Sequence, residues 1–259
     1  MRILLTGASR GIGRAMAERL AGPGVAIGLC ATKASREHDE AVTACRARGA
    51  HAEALVGDLG DSTVPAALVS QTVAAFGGLD AVVSNAGIML AGSLAEIDEE
   101  AWDRTFAVNV RGAWLLARAA HPHLAATDGA FVAVASTSGV QPYPGGGAYS
   151  PSKAALLMLV QTLAQEWAAS GARANAVSPG LFLSDMTAAI YADPSRRAAR
   201  EALVPLRRIG DAAADLAGVV AFLISPAARY ITGQNIVVDG GFLGSIQAHL
   251  AGRPKAGAA

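Results

Sequence analysis

Short apolar runs alternate with longer stretches of helical periodicity along almost the whole chain, and that alternation narrows the fold more than any other feature. The runs read as strands at Ile3–Thr6, Ala26–Cys30, Ala52–Val56, Ala81–Ser84, Ala130–Ala135, Arg173–Val177 and Asn235–Val238. Several are apolar at consecutive positions, as strands covered on both faces are. Helical stretches start near Gly11, Ser35, Thr63, Asp98, Ser150, Pro194 and Ala212. Strict alternation with right-handed crossovers predicts an α/β fold: a doubly wound, mostly parallel seven-stranded sheet with helices on both faces. No linker splits the 259 residues. One domain is therefore expected over residues 1–243, with an irregular covering segment near 181–208 and a frayed tail at 244–259.

Composition excludes several classes. Hydrophobic residues make up 52% of the chain and charged ones 16%, which rules out disorder as the main theme. Lys+Arg and Asp+Glu are 21 each, so nothing electrostatic favours nucleic acid or an anionic membrane as partner. No run is long enough for a membrane span or the core of a signal peptide. Cys30 and Cys45 have no paired spacing and read as inert thiols, so a cytoplasmic location is expected. Small residues dominate, with 59 Ala and 29 Gly, so backbones must approach one another closely.

Some of that glycine sits where an anion could use it. The first strand runs directly into Thr6-Gly7-Ala8-Ser9-Arg10-Gly11-Ile12-Gly13, and a helix follows. Gly7 suits a tight turn, Gly11 a close approach of pyrophosphate, and Gly13 tight helix–strand packing. The helix N-terminus would present Ser9, Arg10, Gly11, Ile12 and Gly13 to phosphate. A site for NAD normally carries an acid at the end of the second strand. Here that place is Ala31, followed by Thr32 and Lys33, with Arg10 and Arg36 nearby. The missing carboxylate and the neighbouring cations favour NADP(H) over NAD(H).

Tyr149 and Lys153 open a long Ala-rich helix four residues apart, which puts them on one face. A neighbouring ammonium is expected to lower the Tyr149 pKa and fit it for proton exchange. Ser136 lies 13 residues before Tyr149, at the end of a strand, and Asn109 lies within a helix read as Trp102–Ala120.

Together these motifs resemble the short-chain dehydrogenase/reductase family, and the resemblance runs nearly from Met1 to Phe242. It is carried by Thr6–Gly13, Asp58, Asn85-Ala86-Gly87, Asn109, Ser136, Tyr149, Lys153, Pro179-Gly180 and the closing ITGQNIVVDGG. The resemblance implies a Rossmann-type oxidoreductase moving a hydride between a nicotinamide cofactor and a carbonyl or secondary alcohol. Tyr149 would be the general acid/base, with Lys153 lowering its pKa and bonding the nicotinamide ribose. Ser136 would bond the reacting oxygen, and Asn109 would hold a water leading to Lys153. Asp58 and Leu59 would meet the adenine, and Asn85, Ala86 and Gly87 would line the cofactor cleft. Pro179, Gly180 and Ser184 would approach the carboxamide; Ser184, in Leu183-Ser184-Asp185-Met186, stands where the family usually has Thr. Ser84 replaces the usual second Asn. Ser138 competes with Ser136, but its spacing to Tyr149 is poorer.

Substrate contacts are expected from Leu90, Ser138, Gln141, Tyr143, Leu181 and Phe182, with the segment from Ser184 to about Leu206. The chain is also similar to ketoacyl-carrier-protein reductases, so 3-oxoacyl-carrier-protein reduction is an alternative. Those reductases have basic residues at places corresponding here to Ala130 and Ser170, with Arg173 close by. A non-catalytic dinucleotide-binding regulator is the other alternative, disfavoured by retention of Asn109, Ser136, Tyr149 and Lys153. No metal site is expected: His121 and His123 flank Pro122 at the wrong spacing, and His38, His51 and His249 stand alone. Trp102, Trp114 and Trp167 read as packing residues. By resemblance, helices 102–120 and 150–170 would pack against copies of themselves in a homotetramer, with a dimer as the alternative.

Overall fold

The computed structural model describes residues 1–184 and 187–245. Asp185 and Met186 of the Leu183–Met186 stretch, His249 and the expected tail beyond residue 245 lie outside the described residues. Seven parallel strands form one sheet: β1 Arg2–Thr6, β2 Ala26–Ala31, β3 His51–Val56, β4 Ala81–Ser84, β5 Ala130–Val134, β6 Arg173–Pro179 and β7 Asn235–Val238. Their spatial order is β3-β2-β1-β4-β5-β6-β7. The chain thus reverses its direction of travel between β1 and β4, which opens a crevice at the carboxyl ends of those two strands. Register is set by backbone pairing such as Leu4 with Gly28 and with Val82.

Alternate side chains of each strand point to opposite layers. Ile3 and Leu5 of β1 join one core with Ile27, Leu29, Val83, Val132 and Val177. Helices α1 (Gly11–Leu20), α2 (Arg36–Ala47) and α9 (Ala217–Ile224) cover that face. Leu4, Leu55, Val82 and Phe131 point the other way. They meet α3 (Val64–Phe76), α5 (Ala113–Ala125) and α6 (Tyr149–Trp167). Ala113, Ala117 and Ala120 on α5 and Ala133, Ala174 and Ala176 on the strands lie in this second core, so much of the alanine is where helix and sheet backbones approach closely. Arg2, the first residue of β1, bonds both oxygens of Asp80, which immediately precedes β4, and so ties the starts of these neighbouring strands together.

The helix expected over Trp102–Ala120 is interrupted. It starts as α4 (Glu99–Phe106), widens into a π turn at Ala107–Gly112 and resumes as α5. Near residue 212 a π turn at Ala212–Leu216 likewise precedes α9. The irregular 181–208 segment contains the short α7 (Ala188–Tyr191) and the amphipathic α8 (Pro194–Leu203), the latter capped by Asp193. Among the described residues no helix is long and apolar enough to cross a membrane.

Candidate active site

At the carboxyl end of β1, Gly7 adopts a left-handed φ of +66°, which favours glycine. A side chain at Gly13 would collide with the Gly7 carbonyl, so only glycine lets α1 pack onto this turn. Thr6, fully buried, accepts from the backbone N–H groups of Asn85 and Ala86 at 3.0 and 3.1 Å. The Asn85 amide donates to the carbonyls of Thr6 and Gly7 at 3.0 Å each. The turn is thereby knit to the loop after β4. Asn85 is spent on shaping the cleft, and Thr6 is the anchor that sequence reading missed.

Helix α1 begins after Arg10 with no side-chain cap and no acid in its first turn. By contrast α2 is capped by Ser35 and α4 by Asp98. The open N–H groups and the positive dipole end of α1 face the crevice rim, an arrangement suited to phosphate. Ala31 is buried at the end of β2, and Thr32 and Lys33 are exposed just beyond it. The cation excess expected there is smaller than the sequence implies. Arg36 pairs with Glu40 at 2.8 Å, and Arg14 with Glu18 at 2.8 Å. Glu37 is held below the usual carboxylate range by its own backbone N–H and Ser35, with Arg10 and Arg36 adding to the effect.

Asp58, after β3, is bound by Arg104 of α4 at 2.6 Å and by the Gly60 N–H at 2.8 Å. Burial pushes its carboxyl up, but Arg104 and Gly60 outweigh burial and hold it below its ordinary value. Arg104 gave no signal in the sequence, being 46 residues away. Leu59 is a core residue, so its side chain is turned away from any ligand and only its backbone is available.

The remaining candidates meet around α6. Gly139 closes the short turn after Ser136 directly onto the backbone of Lys153, where a Cβ would come within 2.8 Å. That contact brings Ser136 beside Tyr149. The Ser136 hydroxyl accepts the Ser138 N–H at 3.1 Å and also acts on the Tyr149 hydroxyl. Lys153 is 3% exposed; its ammonium donates to the Val134 carbonyl at 2.9 Å and lies 5.7 Å from the centre of the Tyr149 ring. Gly87 lies against both the Lys153 ammonium and the Asn109 amide.

Asn109 sits in the π turn. Its amide oxygen accepts the Ile88 N–H at 2.8 Å, and its nitrogen donates to the Ile88 carbonyl at 2.9 Å. The same nitrogen donates to Ser152 at 3.0 Å, and Ser152 donates to the Tyr149 carbonyl at 2.7 Å. The Asn109 side chain therefore clamps the loop after β4 to α6, and Ser152 is a second residue missed from sequence.

Electrostatics correct one expectation. Burial pushes the Tyr149 phenol above its ordinary value, and the pull from Ser136 does not cancel it. Burial also lowers Lys153 to about 8. Low dielectric penalises both charged forms, and burial sets the direction of both shifts.

Tyr143 lies near this group and donates to Met89 Sδ at 2.9 Å. Leu90 and Gln141 are exposed, and Ser138 is half-buried. Leu181 and Phe182 do not join them. Phe182 is 4% exposed with its ring under Gly210. Both line a separate cavity of about 170 Å³ with Leu206, Arg208 and Asp239, and none of Asn109, Ser136, Tyr149 or Lys153 is in its wall. The Phe182 side chain is withdrawn because it completes the core beneath β6. Pro179 ends β6, Gly180 donates to the Val238 carbonyl at 2.9 Å, and Ser184 shares bonds with Thr187. Arg173, considered for carrier docking, is 6% exposed and donates inward to the Ser225 and Ile231 carbonyls.

Residues 7–243 match the family described as enoyl-(acyl carrier protein) reductase. Dehydrogenase/reductase SDR family member 4 of Bos taurus is 36% identical over 242 residues, covering 93% of this chain and 86% of that one. The 3-oxoacyl-(acyl-carrier-protein) reductase of Staphylococcus aureus is 35% identical over 239 residues, 92% of this chain and 96% of its own. A short-chain dehydrogenase of Burkholderia cenocepacia, solved in complex with NADP, superposes with a TM-score of 0.86 at 36% identity, covering 93% of this chain and 97% of that one.

Proposed function

The chain belongs to the short-chain dehydrogenase/reductase family, and from that membership we propose that it is an NADP(H)-dependent reductase of small carbonyl compounds, with Tyr149 as general acid. The observation that carries this reading is the convergence of Ser136, Tyr149 and Lys153 beside a crevice whose rim is the uncapped N-terminus of α1. Enzymes of this family act on C=O and CH–OH groups with NAD(P), and the Burkholderia relative holds NADP. The residues of this chain fit such a group: the glycine turn at Gly7–Gly13 for pyrophosphate, Arg10, Thr32 and Lys33 for a 2′-phosphate, and Asp58 for the adenine side. Ala86, Gly87, Pro179, Gly180 and Ser184 would complete the cradle. When bound, NADPH supplies the hydride that reaches the carbonyl carbon.

The protein's own contribution is to the oxygen. Ser136 donates a hydrogen bond to it, and Tyr149 gives it a proton as negative charge develops. A phenol raised by burial is fully protonated at neutral pH, the state a proton donor needs. Lys153 keeps a positive charge beside Tyr149 and steadies the phenolate left behind. Asn109, through Ile88 and Ser152, holds the loop and helix at fixed separation.

A free carbonyl compound is preferred over an acyl carrier as substrate. Ala130 is buried, Ser170 is tied to Trp167 and His121, and Arg173 is spent on internal carbonyls, so none of these places offers a cation to an acidic carrier. The test is oxidation of NADPH, followed by its absorbance, with a panel of ketones, oxo acids and oxo esters. Tyr149→Phe should lower turnover by about 10²–10⁴ while NADPH still binds. Undiminished turnover in that variant would refute the mechanism; binding of NADPH without turnover of any carbonyl would leave the regulator reading in its place.

A further inference from the structure

The loop after β4 and the loop before α6 are joined along a seam. Gly92 pairs with Gly146 in an isolated parallel bridge: the Gly92 N–H donates to the Gly145 carbonyl and the Gly147 N–H to the Gly92 carbonyl, both at 3.0 Å. Gly147 has a left-handed φ of +53°, and a Cβ there would collide with the Leu90 carbonyl. Side chains continue the seam. The Tyr143 hydroxyl donates to Met89 Sδ at 2.9 Å, and the Tyr143 ring lies against Gly146, where a Cβ would come within 3.0 Å of it.

Both sides of the seam are fixed against the reacting groups. The Gly146 carbonyl accepts the Tyr149 N–H at 3.1 Å, at the start of α6. On the other loop a Cβ at Gly87 would come within 3.2 Å of the Lys153 ammonium, and Asn109 holds both backbone groups of Ile88. Met89 follows directly, no more than about 7 Å of chain beyond Gly87. The Met89–Tyr143 contact therefore stands beside Tyr149 and Lys153, with one partner on each loop.

The chemistry of this wall is neutral and apolar. Residues 85–95 and 136–152 contain no Asp, Glu, Lys or Arg. Leu90, Leu94, Val140 and Tyr143 are exposed on them. An apolar, uncharged surface beside a reactive centre suits an apolar ligand. The Tyr143 hydroxyl is taken up by Met89, so Tyr143 offers its ring and Met89 a polarizable thioether, both favourable neighbours for an aromatic group.

We propose that Met89 and Tyr143 are specificity-determining residues, and that the carbonyl reduced at Tyr149 belongs to an uncharged compound whose aromatic substituent packs on the Tyr143 ring. The inference rests on the carbonyl-reductase reading and adds to it the class of substrate.

The test compares three methyl ketones that share one reacting group: acetophenone, butanone and 4-acetylbenzoate. Wild-type kcat/KM for acetophenone should exceed that for butanone by about tenfold or more, from burial of the ring, and that for 4-acetylbenzoate by about tenfold or more, because the wall has no partner for a carboxylate. Tyr143→Ala should cut the acetophenone-to-butanone ratio about tenfold, mainly through KM, and lower the enantiomeric excess of the 1-phenylethanol formed. Tyr143→Phe should keep most of the ratio, since the ring remains, and Met89→Ala on the other loop should lower it. Binding of 1-phenylethanol, measured by calorimetry without cofactor, should weaken in Tyr143→Ala, and NADPH fluorescence shows whether each variant is folded. Butanone reduced as well as acetophenone by the wild type, or equal losses for the two ketones in Tyr143→Ala and Met89→Ala, would overturn the aromatic wall and leave the reductase standing. A preference for 4-acetylbenzoate would do the same and point to Arg200 of α8, whose charge acts on the Tyr143 phenol. If no carbonyl consumes NADPH although NADPH binds, the reductase reading fails and this inference fails with it.

Discussion

Among the described residues Lys153 donates to the Val134 carbonyl, and Gly87 lies against its ammonium. Burial sets its protonation. A lysine lowered to about 8 loses its charge as pH rises through that value. If the charge steadies the Tyr149 phenolate, kcat/KM for reduction should be level below pH 7 and fall with a single-proton slope above about 8. The folded chain binds fewer protons than the unfolded one between that pKa and the ordinary 10.5, so stability should rise with pH in the same window. Initial rates and urea midpoints measured in parallel from pH 6 to about 10 check both signs; a rate that climbs through pH 8 would contradict the assignment. The spacing of Tyr149 and Lys153 was legible in the sequence because a helix fixes it. The sign of their pKa shifts was not, because burial is contributed by residues distant in the chain. For the same reason Ser152 and Arg104 were silent: a serine bonded to Asn109 across 43 residues has no local signature.

At the scale of elements, all seven strand positions and most helices could be read because periodicity and glycine punctuation are local. The break in the 102–120 helix could not, since the π turn is held open by Asn109 reaching out to both backbone groups of Ile88. Helix α7 escaped notice because a single turn carries no period. Phe182 was misplaced among substrate contacts because an aromatic in an irregular stretch gives no hint that Gly210 will close over it. Glycine itself divides into two kinds by what surrounds it. Gly13 has the Gly7 carbonyl and Asn85 where a Cβ would go, whereas Gly218 in α9 has nothing within 4 Å. Gly13→Ala should therefore cost about 2 kcal/mol or more through overpacking and impair NADPH binding. Gly218→Ala should stabilise the fold by about 0.5–1 kcal/mol through helix propensity. Denaturant titration of both variants decides this; equal effects would mean that the turn–helix contact is not the rigid one described.

Among the exposed apolar residues of the described chain, two groups lie on regular elements away from the site. Trp114 of α5 is 42% exposed beneath Arg118, and Met158 of α6 is 61% exposed. Elsewhere, β7 closes one edge of the sheet with Val237 uncovered, and Phe222 of α9 and Tyr230 are exposed as well. An edge strand and a pair of adjacent helices are distinct surfaces, and each is self-complementary only about its own two-fold axis. Two such axes generate a tetramer with dihedral symmetry, which is the assembly we propose. A formal charge of zero offers no long-range repulsion against it. Sedimentation at micromolar concentration should give four times the chain mass. Trp114→Asp with Met158→Asp should leave a dimer held by the β7 side, and Val237→Lys should leave a dimer held by the helices. Because Tyr149 and Lys153 begin the same α6 that carries Met158, the helix-face variant should also lose activity, while the β7 variant should lose less. A wild-type protein that sediments as a single chain, or a helix-face variant that remains fully tetrameric, would refute this division of the surface.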